Sequence, residues 1–167
     1  MKIYHSTIDT PVGELSLFAS NQGLNRISWG KHFAEEILKK WFPGDWEILW
    51  NDNNIILQRV QEQLQLYFIK KLLQFNLPLE LKGTPFQLSV WNQLQRIPYG
   101  RTWSYQQLAT AIGIPNAIRA VGNANAKNPI PIIIPCHRVI QKNGNLGGYG
   151  GGIVIKDQLL AHEGVIL

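Results

Sequence analysis

Three prolines in seven residues, Pro129, Pro131 and Pro135, lead into the chain's single cysteine, Cys136. Each removes a backbone N–H, so this stretch cannot be a central strand of a sheet. With φ restricted at three points it is expected to run as a stiff extended arm that holds Cys136 in one place. A lone cysteine also excludes an internal disulfide framework and a Cys-rich zinc site. Two readings of the thiol stand on these residues alone. Cys136 is a small core residue, as free cysteines often are, or it is a nucleophile whose thiol pKa is depressed by His137 and Arg138. Neighbours in an extended chain face opposite sides, so His137 would reach the sulfur through a water or a local turn.

With 167 residues, 45% hydrophobic and 16% charged, the chain can bury a core as one ordinary domain or two small ones. Its apolar runs are far too short to cross a bilayer. Residues 1–6 lack the apolar stretch of a secretory signal, so the expectation is a cytoplasmic protein, or a nuclear one in a eukaryote. Charge is divided unevenly. Residues 1–80 carry eight Lys/Arg against nine Asp/Glu, a net of −1, and residues 81–167 carry eight against two, a net of +6. The split suggests a polyanion-facing C-terminal half, and no run of five like charges reads as a basic tail.

The N-terminal half reads as strands. Residues 2–29 hold three short runs separated by Asp9-Thr10-Pro11-Val12-Gly13 and Asn21-Gln22-Gly23, which predicts an antiparallel meander. A helix is expected over residues 31–41, ended by Pro43-Gly44. A longer helix is expected after a cap at Asn53, with Leu57, Val60, Leu64, Tyr67, Phe68 and Leu72 recurring mostly at helical steps. Residues 77–81 are a further strand candidate.

The character changes at Lys82-Gly83. Thr84-Pro85-Phe86-Gln87 and Ser104-Tyr105-Gln106-Gln107 are two capping boxes, the first with Pro at the first helical position. The first helix would bury Phe86, Val90, Trp91 and Leu94. The second would run to about Ile112, where Gly113 closes it. Pro115 is expected to start another helix after a very short turn, which makes the pair a helix-turn-helix candidate. That last helix is built from Ala117, Ala120, Val121, Gly122, Ala124 and Ala126, interleaved with Asn116, Asn123 and Asn125, and Arg119 is its one long arm. It is either packed tightly on a neighbour or thin enough to lie deep in a nucleic-acid groove, with Arg and Asn at base edges.

Residues 144–152 hold six glycines around Tyr149. No Lys-Ser/Thr follows and neither nucleotide fingerprint is present, which argues against a phosphate loop. The stretch is a flexible surface turn, or a loop whose backbone approaches a ligand with Tyr149 as an aromatic wall. Residues 156–163 then read as a short helix ended by Gly164. Glu163 could orient an imidazole there as the third member of a Cys–His–acid set.

Pro135-Cys136-His137-Arg138 resembles the active-site motif of the O6-alkylguanine-DNA alkyltransferases, the methylated-DNA–protein-cysteine methyltransferases. The likeness continues in order through Gly83-Thr84-Pro85-Phe86-Gln87, Val90-Trp91, Ile97-Pro98-Tyr99-Gly100, Ser104-Tyr105-Gln106-Gln107-Leu108-Ala109, Arg119-Ala120-Val121-Gly122, Asn128-Pro129 and Leu159-Leu160-Ala161-His162-Glu163-Gly164. It is looser before residue 82, resting on the opening hairpin, Tyr67-Phe68 and Leu77-Pro78-Leu79. The resemblance implies an α/β fold with a ribonuclease-H-like antiparallel sheet and helices in residues 1–82. Residues 83–167 would form a mostly helical domain with the helix-turn-helix.

The resemblance also implies roles. Cys136 would accept the alkyl group, His137 would reach it through water, and Glu163 would orient His137. Tyr105 would give a proton towards the departing guanine, and Asn128 would tie the helix-turn-helix to the active-site segment. Arg119 resembles an arginine finger that fills the gap left by an extruded nucleotide; Ser104, Tyr105, Ala120, Gly122 and Asn123 would lie against the DNA. Pro131, Val139, Tyr149 and Gly150 would shape the base pocket. The implied partner is double-stranded DNA containing O6-alkylguanine, with O4-alkylthymine as a second substrate. The protein is expected to act as a monomer, away from membranes, once per lesion and without a cofactor.

Two departures bear on these expectations. Gly150 stands where the family often has Ser, so a backbone N–H can still reach O6 but a hydroxyl cannot, and the extra room would admit larger alkyl groups. Some members carry an N-terminal zinc; with no cysteine before residue 136, His5 and His32 cannot build it, and no metal is expected. Three rivals remain at this level. A lesion-binding relative lacks the acceptor cysteine, a Cys–His hydrolase needs an oxyanion hole and turns over, and a helix-turn-helix regulator leaves Cys136 without purpose.

Overall fold

The computed structural model describes residues 1–31 and 33–167. The chain divides into two compact units, Met1–Leu81 and Lys82–Leu167. In the first, β1 (Lys2–Thr10), β2 (Gly13–Ala19) and β3 (Leu24–Trp29) form the antiparallel meander that the turn residues predict. β4 (Glu47–Trp50) then pairs with β1 in parallel, so the four-stranded sheet is mixed, in the order β3-β2-β1-β4. Helix α2 (Ile55–Phe68) packs on the meander and buries Ile56, Leu57, Val60, Leu64 and Tyr67. A second apolar cluster gathers Ile3, Phe18 and Phe42 with Phe33, Trp41 and Trp46.

Several expected boundaries move. Asn54, not Asn53, caps α2, its Oδ1 accepting from the N–H groups of Ile56 and Leu57, while the Asn53 N–H is taken by Asn51 Oδ1. The helix stops before Leu72 because Lys70 turns left-handed at φ 60 and the Lys71 N–H doubles back to Leu66 O. Helix α1 (Glu35–Trp41) starts later than residue 31, after an extended Ala34, and His32 lies outside the described residues. Residues 77–81 make a single parallel bridge, Leu24 to Leu79, rather than a strand, since Pro78 has no N–H for a ladder.

The second unit carries α3 (Pro85–Leu94), α4 (Tyr105–Ala111), α5 (Ile118–Ala126) and α6 (Ile153–His162). A two-residue parallel ladder joins β5 (Trp103–Ser104) to β6 (Val139–Ile140). Both capping boxes form: Thr84 and Ser104 accept from the N–H of Gln87 and Gln107, whose side chains return to the cap N–H groups. α3 buries Val90, Trp91 and Leu94, with Phe86 half-buried, and the Trp91 indole donates to Ala124 O at 2.9 Å, fastening α3 to α5. Pro115 does not start α5. It sits in the turn, where Gln106 Nε2 donates to its carbonyl and the Ala117 N–H returns to Ile114 O, so the helix begins at Ile118.

Candidate active site

The arm carrying Cys136 is a run of tight turns, not an extended segment. The Ile134 N–H returns to Ile130 O at 2.9 Å, with Ile132 between them at φ 73, a left-handed conformation that strains a β-branched residue. Asn128 clasps both ends: Nδ2 donates to Ile134 O at 2.7 Å and Oδ1 accepts from the Ile130 N–H at 3.0 Å. Pro135, at φ −80 and ψ 63, centres an inverse γ-turn closed by the Cys136 N–H on Ile134 O at 2.8 Å. Cys136–Arg138 then forms one turn of 3-10 helix. The prolines forbid a ladder, but their fixed φ suits turns as well as extension. Cys136 and His137 are therefore about 120° apart around a helical turn rather than on opposite faces.

Cys136 keeps only 6% exposure. Burial pushes its thiol pKa up to about 11, opposed by a bond from Asn128, the charge of Lys156 and the N–H groups of Cys136 and His137. The depression expected from His137 and Arg138 is overturned: burial dominates, and both side chains are engaged by Glu163.

Glu163 follows α6 and is 5% exposed. Its Oε1 lies 2.8 Å from His137 Nε2 and accepts from Arg138 Nη2 at 2.9 Å; its Oε2 accepts from Arg138 Nε at 2.8 Å and the Gly100 N–H at 3.2 Å. Burial alone would push this carboxyl up, but the bonds and charges of His137 and Arg138 hold it well below the usual carboxylate range. An ionised carboxylate only accepts, so Nε2 of His137 carries the proton. His137 is itself lowered, first by burial and then by Arg138 and Lys156 against the pull of Glu163. Its Nδ1 is buried with no hydrogen-bond partner among the described residues.

Lys156 and Gly100 were not singled out from the sequence as site residues. Lys156 is fully buried, and Nζ donates to Val139 O at 2.6 Å, to Leu146 O and to Gly148 O at 3.3 Å, which pins the glycine loop to β6. Burial lowers its pKa to about 8. Helical spacing held the signal, since Lys156, Leu159 and Leu160 share the buried face of α6 and Glu163 continues that row just past its end. Tyr105, the first residue of α4, lies between α5 and this loop: a Cβ on Gly122 would stand 3.8 Å from its ring, and one on Gly147 3.3 Å from its hydroxyl. Burial, then Cys136, raises the pKa of Tyr105, and the same two causes lead for Tyr149.

The structure thus gathers Cys136, His137, Glu163, Asn128, Tyr105 and Tyr149. Val139 and Pro131 are buried, and Gly150 is exposed with open space where a Cβ would go. Arg119, Ala120 and Asn123 form an exposed face of α5, with Gly122 half-buried and Val121, Ala124 and Asn125 turned inward. Ser104 spends its acceptor on the cap of α4. Among the described residues no group of His, Cys, Asp or Glu gathers as metal ligands would, and no helix is long and apolar enough to cross a membrane.

Known proteins match this arrangement over the whole chain. The family model of the 6-O-methylguanine DNA methyltransferase ribonuclease-like domain matches residues 3–81, and that of the DNA binding domain matches residues 85–165. A methylated-DNA–protein-cysteine methyltransferase of Methanosarcina barkeri is 43% identical over 163 residues, covering 96% of this chain and 97% of the relative. The crystal structure of the Mycobacterium tuberculosis O6-methylguanine methyltransferase is similar at a TM-score of 0.82 and 41% identity, covering 96% of this chain and 92% of that one. The Mycobacterium tuberculosis OGT in complex with DNA is equally similar, at a TM-score of 0.82 and 41% identity, covering 96% and 93%. From the N-terminal sheet to the Cys136 turn and Glu163, this chain belongs to the methylated-DNA–protein-cysteine methyltransferase family.

Proposed function

We propose that this protein repairs O6-alkylguanine in double-stranded DNA by moving the alkyl group onto its own Cys136, once per molecule. The observation that carries the reading is the chain's one thiol beside a buried His137–Glu163 pair, 2.8 Å apart, in the unit that exposes Arg119 on a helix-turn-helix. The lesion lies inside the duplex, so the base is flipped out at a cost of a few kcal/mol, less for an alkylated guanine that pairs poorly. Arg119 fills the gap, and the small residues Ala120 and Gly122, with Asn123, let α5 sit deep in the groove. Ser104 and Tyr105 lie alongside.

Cys136 has little exposure, so the glycine loop yields to admit the base between Tyr149, Gly150, Val139 and Pro131. The S–H proton passes to His137 Nδ1 through water. Sulfur attacks the alkyl carbon in line, the S–C bond forms, the C–O6 bond breaks, and its electron pair leaves with guanine. Tyr105 supplies the proton that guanine takes and is reprotonated from His137. The product is a thioether that no group in the site can cleave, which makes the protein single-use and independent of a cofactor. O4-alkylthymine presents the same electrophilic carbon. The reading places a monomer with its DNA, in the cytoplasm or, in a eukaryote, the nucleus.

The test is intact mass after incubation with a duplex containing O6-methylguanine. One methyl gained at Cys136 and no further turnover is the expected result, and Cys136→Ser should gain none while still binding DNA. Sustained turnover, or transfer by Cys136→Ser, would overturn the reading.

A further inference from the structure

The buried polar groups beneath Cys136 exceed what transfer requires. One carboxylate oxygen would suffice to orient His137. Glu163 instead meets Arg138 along both oxygens, at 2.8 and 2.9 Å, and the guanidinium is anchored from behind by Ile97 O at 2.6 Å. Oε1 is therefore shared between His137 and Arg138. Resting on the alkyl-acceptor reading above, we infer that Arg138 is a positioning residue: it fixes Glu163 and offsets its charge, so that His137 stays neutral with its proton on Nε2 and a lone pair on Nδ1.

A carboxylate beside a buried imidazole favours the imidazolium. Here that carboxylate is already paired with a cation in bidentate geometry, which only a guanidinium provides. The remaining groups facing the ring do not restore the missing negative charge. Lys156 on α6 opposes a positive ring, while Cys136 on the same turn and Tyr149 on the glycine loop are uncharged with their pKa values raised. Tyr99 lies beyond, its ring centroid 5.8 Å from the Arg138 guanidinium carbon. The fully buried Nδ1, with no hydrogen-bond partner among the described residues, fits an acceptor kept for a proton that arrives only with reaction. The proton leaving Cys136 then makes an imidazolium beside Arg138. That ion is short-lived and returns its proton through Tyr105 once the S–C bond has formed and guanine needs one.

The test compares wild type, Arg138→Met and Arg138→Lys in single-turnover methyl transfer from an O6-methylguanine duplex across pH, together with nitrogen NMR of the His137 ring. Arg138→Met should raise the midpoint of the acid limb by about one pH unit or more. Arg138→Lys keeps the charge and should leave the midpoint within about 0.3 unit while the plateau rate falls, because a point charge cannot hold both oxygens. In wild type at neutral pH the ring should carry its proton on Nε2 alone. An unmoved midpoint in folded Arg138→Met, or the same shift in both variants, overturns the inference. Should Arg138→Met fail to fold, Arg138→Gln, which removes the charge but keeps hydrogen-bond donors, takes its place: a raised midpoint supports the inference, and an unmoved midpoint, or an imidazolium in the wild-type spectrum, refutes it. Wild type that transfers no methyl sinks the function reading instead, and leaves the ring spectrum interpretable.

Discussion

Asn128→Ala removes two hydrogen bonds at once and asks whether the clasped turn, rather than the prolines alone, holds the sulfur. Of the lost partners, Ile134 O keeps a bond from the Cys136 N–H, whereas the Ile130 N–H, on a fully buried residue, has no other partner among the described residues. Losing the first bond costs about 1 kcal/mol and stranding the second group about 1–3, so the variant should be less stable by about 2–4 kcal/mol. At about 5 °C per kcal/mol for a unit of this size, its melting transition should fall by about 10–20 °C. Ile132 is then free to leave its strained conformation, and transfer measured well below the melting transition should slow by about tenfold or more as the thiol loses its fixed place. Asn128→Asp is the control. It keeps an acceptor for Ile130 but turns a second acceptor towards Ile134 O and sets a negative charge beside the thiol, disfavouring the thiolate. It should transfer more slowly than Asn128→Ala. Calorimetry and single-turnover transfer read both quantities. An Asn128→Ala protein that melts with the parent, or an Asp variant that transfers faster than the Ala variant, would refute the reasoning.

Other expectations follow from the same geometry. Gly23→Ala would put a Cβ 2.8 Å from Pro78 O and 2.9 Å from Glu80 N, and since backbone cannot step aside, urea titration should show a loss of about 1–3 kcal/mol; an unchanged midpoint would refute the close approach. Glu163 has a depressed pKa in the folded state, so its contribution is complete above the unfolded value of about 4.3 and is lost as pH falls towards the folded one. Glu163→Gln should therefore be less stable at neutral pH and flatter in its acid limb, and an acid limb as steep as the parent's would contradict the assignment. Gly150→Ser meets open space, so stability should change by less than about 0.5 kcal/mol, while O6-benzylguanine transfer should slow more than O6-methylguanine transfer in a competition assay; equal slowing would reject the room-for-large-groups reading. Arg119→Ala should slow repair in duplex more than in single strands, and equal slowing would remove its role in flipping.

Where local chemistry decides an element, the sequence was readable. Each capping box needs only four residues in register, and both form at Thr84 and Ser104. The meander likewise needs only its turn residues. What failed depended on partners distant in sequence or on a single residue that overrode its segment. β4 is short and does not alternate, and it is a strand because β1 offers an edge. Residues 77–81 look like a strand in composition, but Pro78 limits them to one bridge. Pro115 satisfied the rule for a first helical residue, yet the Gln106 side chain holds its carbonyl in the turn, and α5 waits for Ile118.

The site divides in the same way, with consequences for how such motifs should be read. Pro135-Cys136-His137-Arg138 spells out a nucleophile and a base, and from four residues it is natural to let both cations act on the thiol. The fold does otherwise. A 3-10 turn separates the side chains, burial raises the thiol instead of lowering it, and Glu163, 26 residues on, takes the ring of one neighbour and the guanidinium of the other. The charge state of the motif thus depends on burial and on Glu163, which the Gly100 N–H helps to hold, as well as on Arg138 within it. Gly100 has φ 73 and its N–H on Glu163 Oε2, and a Cβ there would come within 3.0 Å of Glu163 O. A search of the last helix for polar residues on its buried face would have found Lys156 and Glu163 together, because seven residues are close to two helical turns. A buried, charged residue at core spacing is costly unless it is paired, so each such residue points to a partner elsewhere in the chain. Taken with those partners rather than by adjacency, the motif supports the proposal that His137 carries the proton and that Arg138, together with burial, governs when it does.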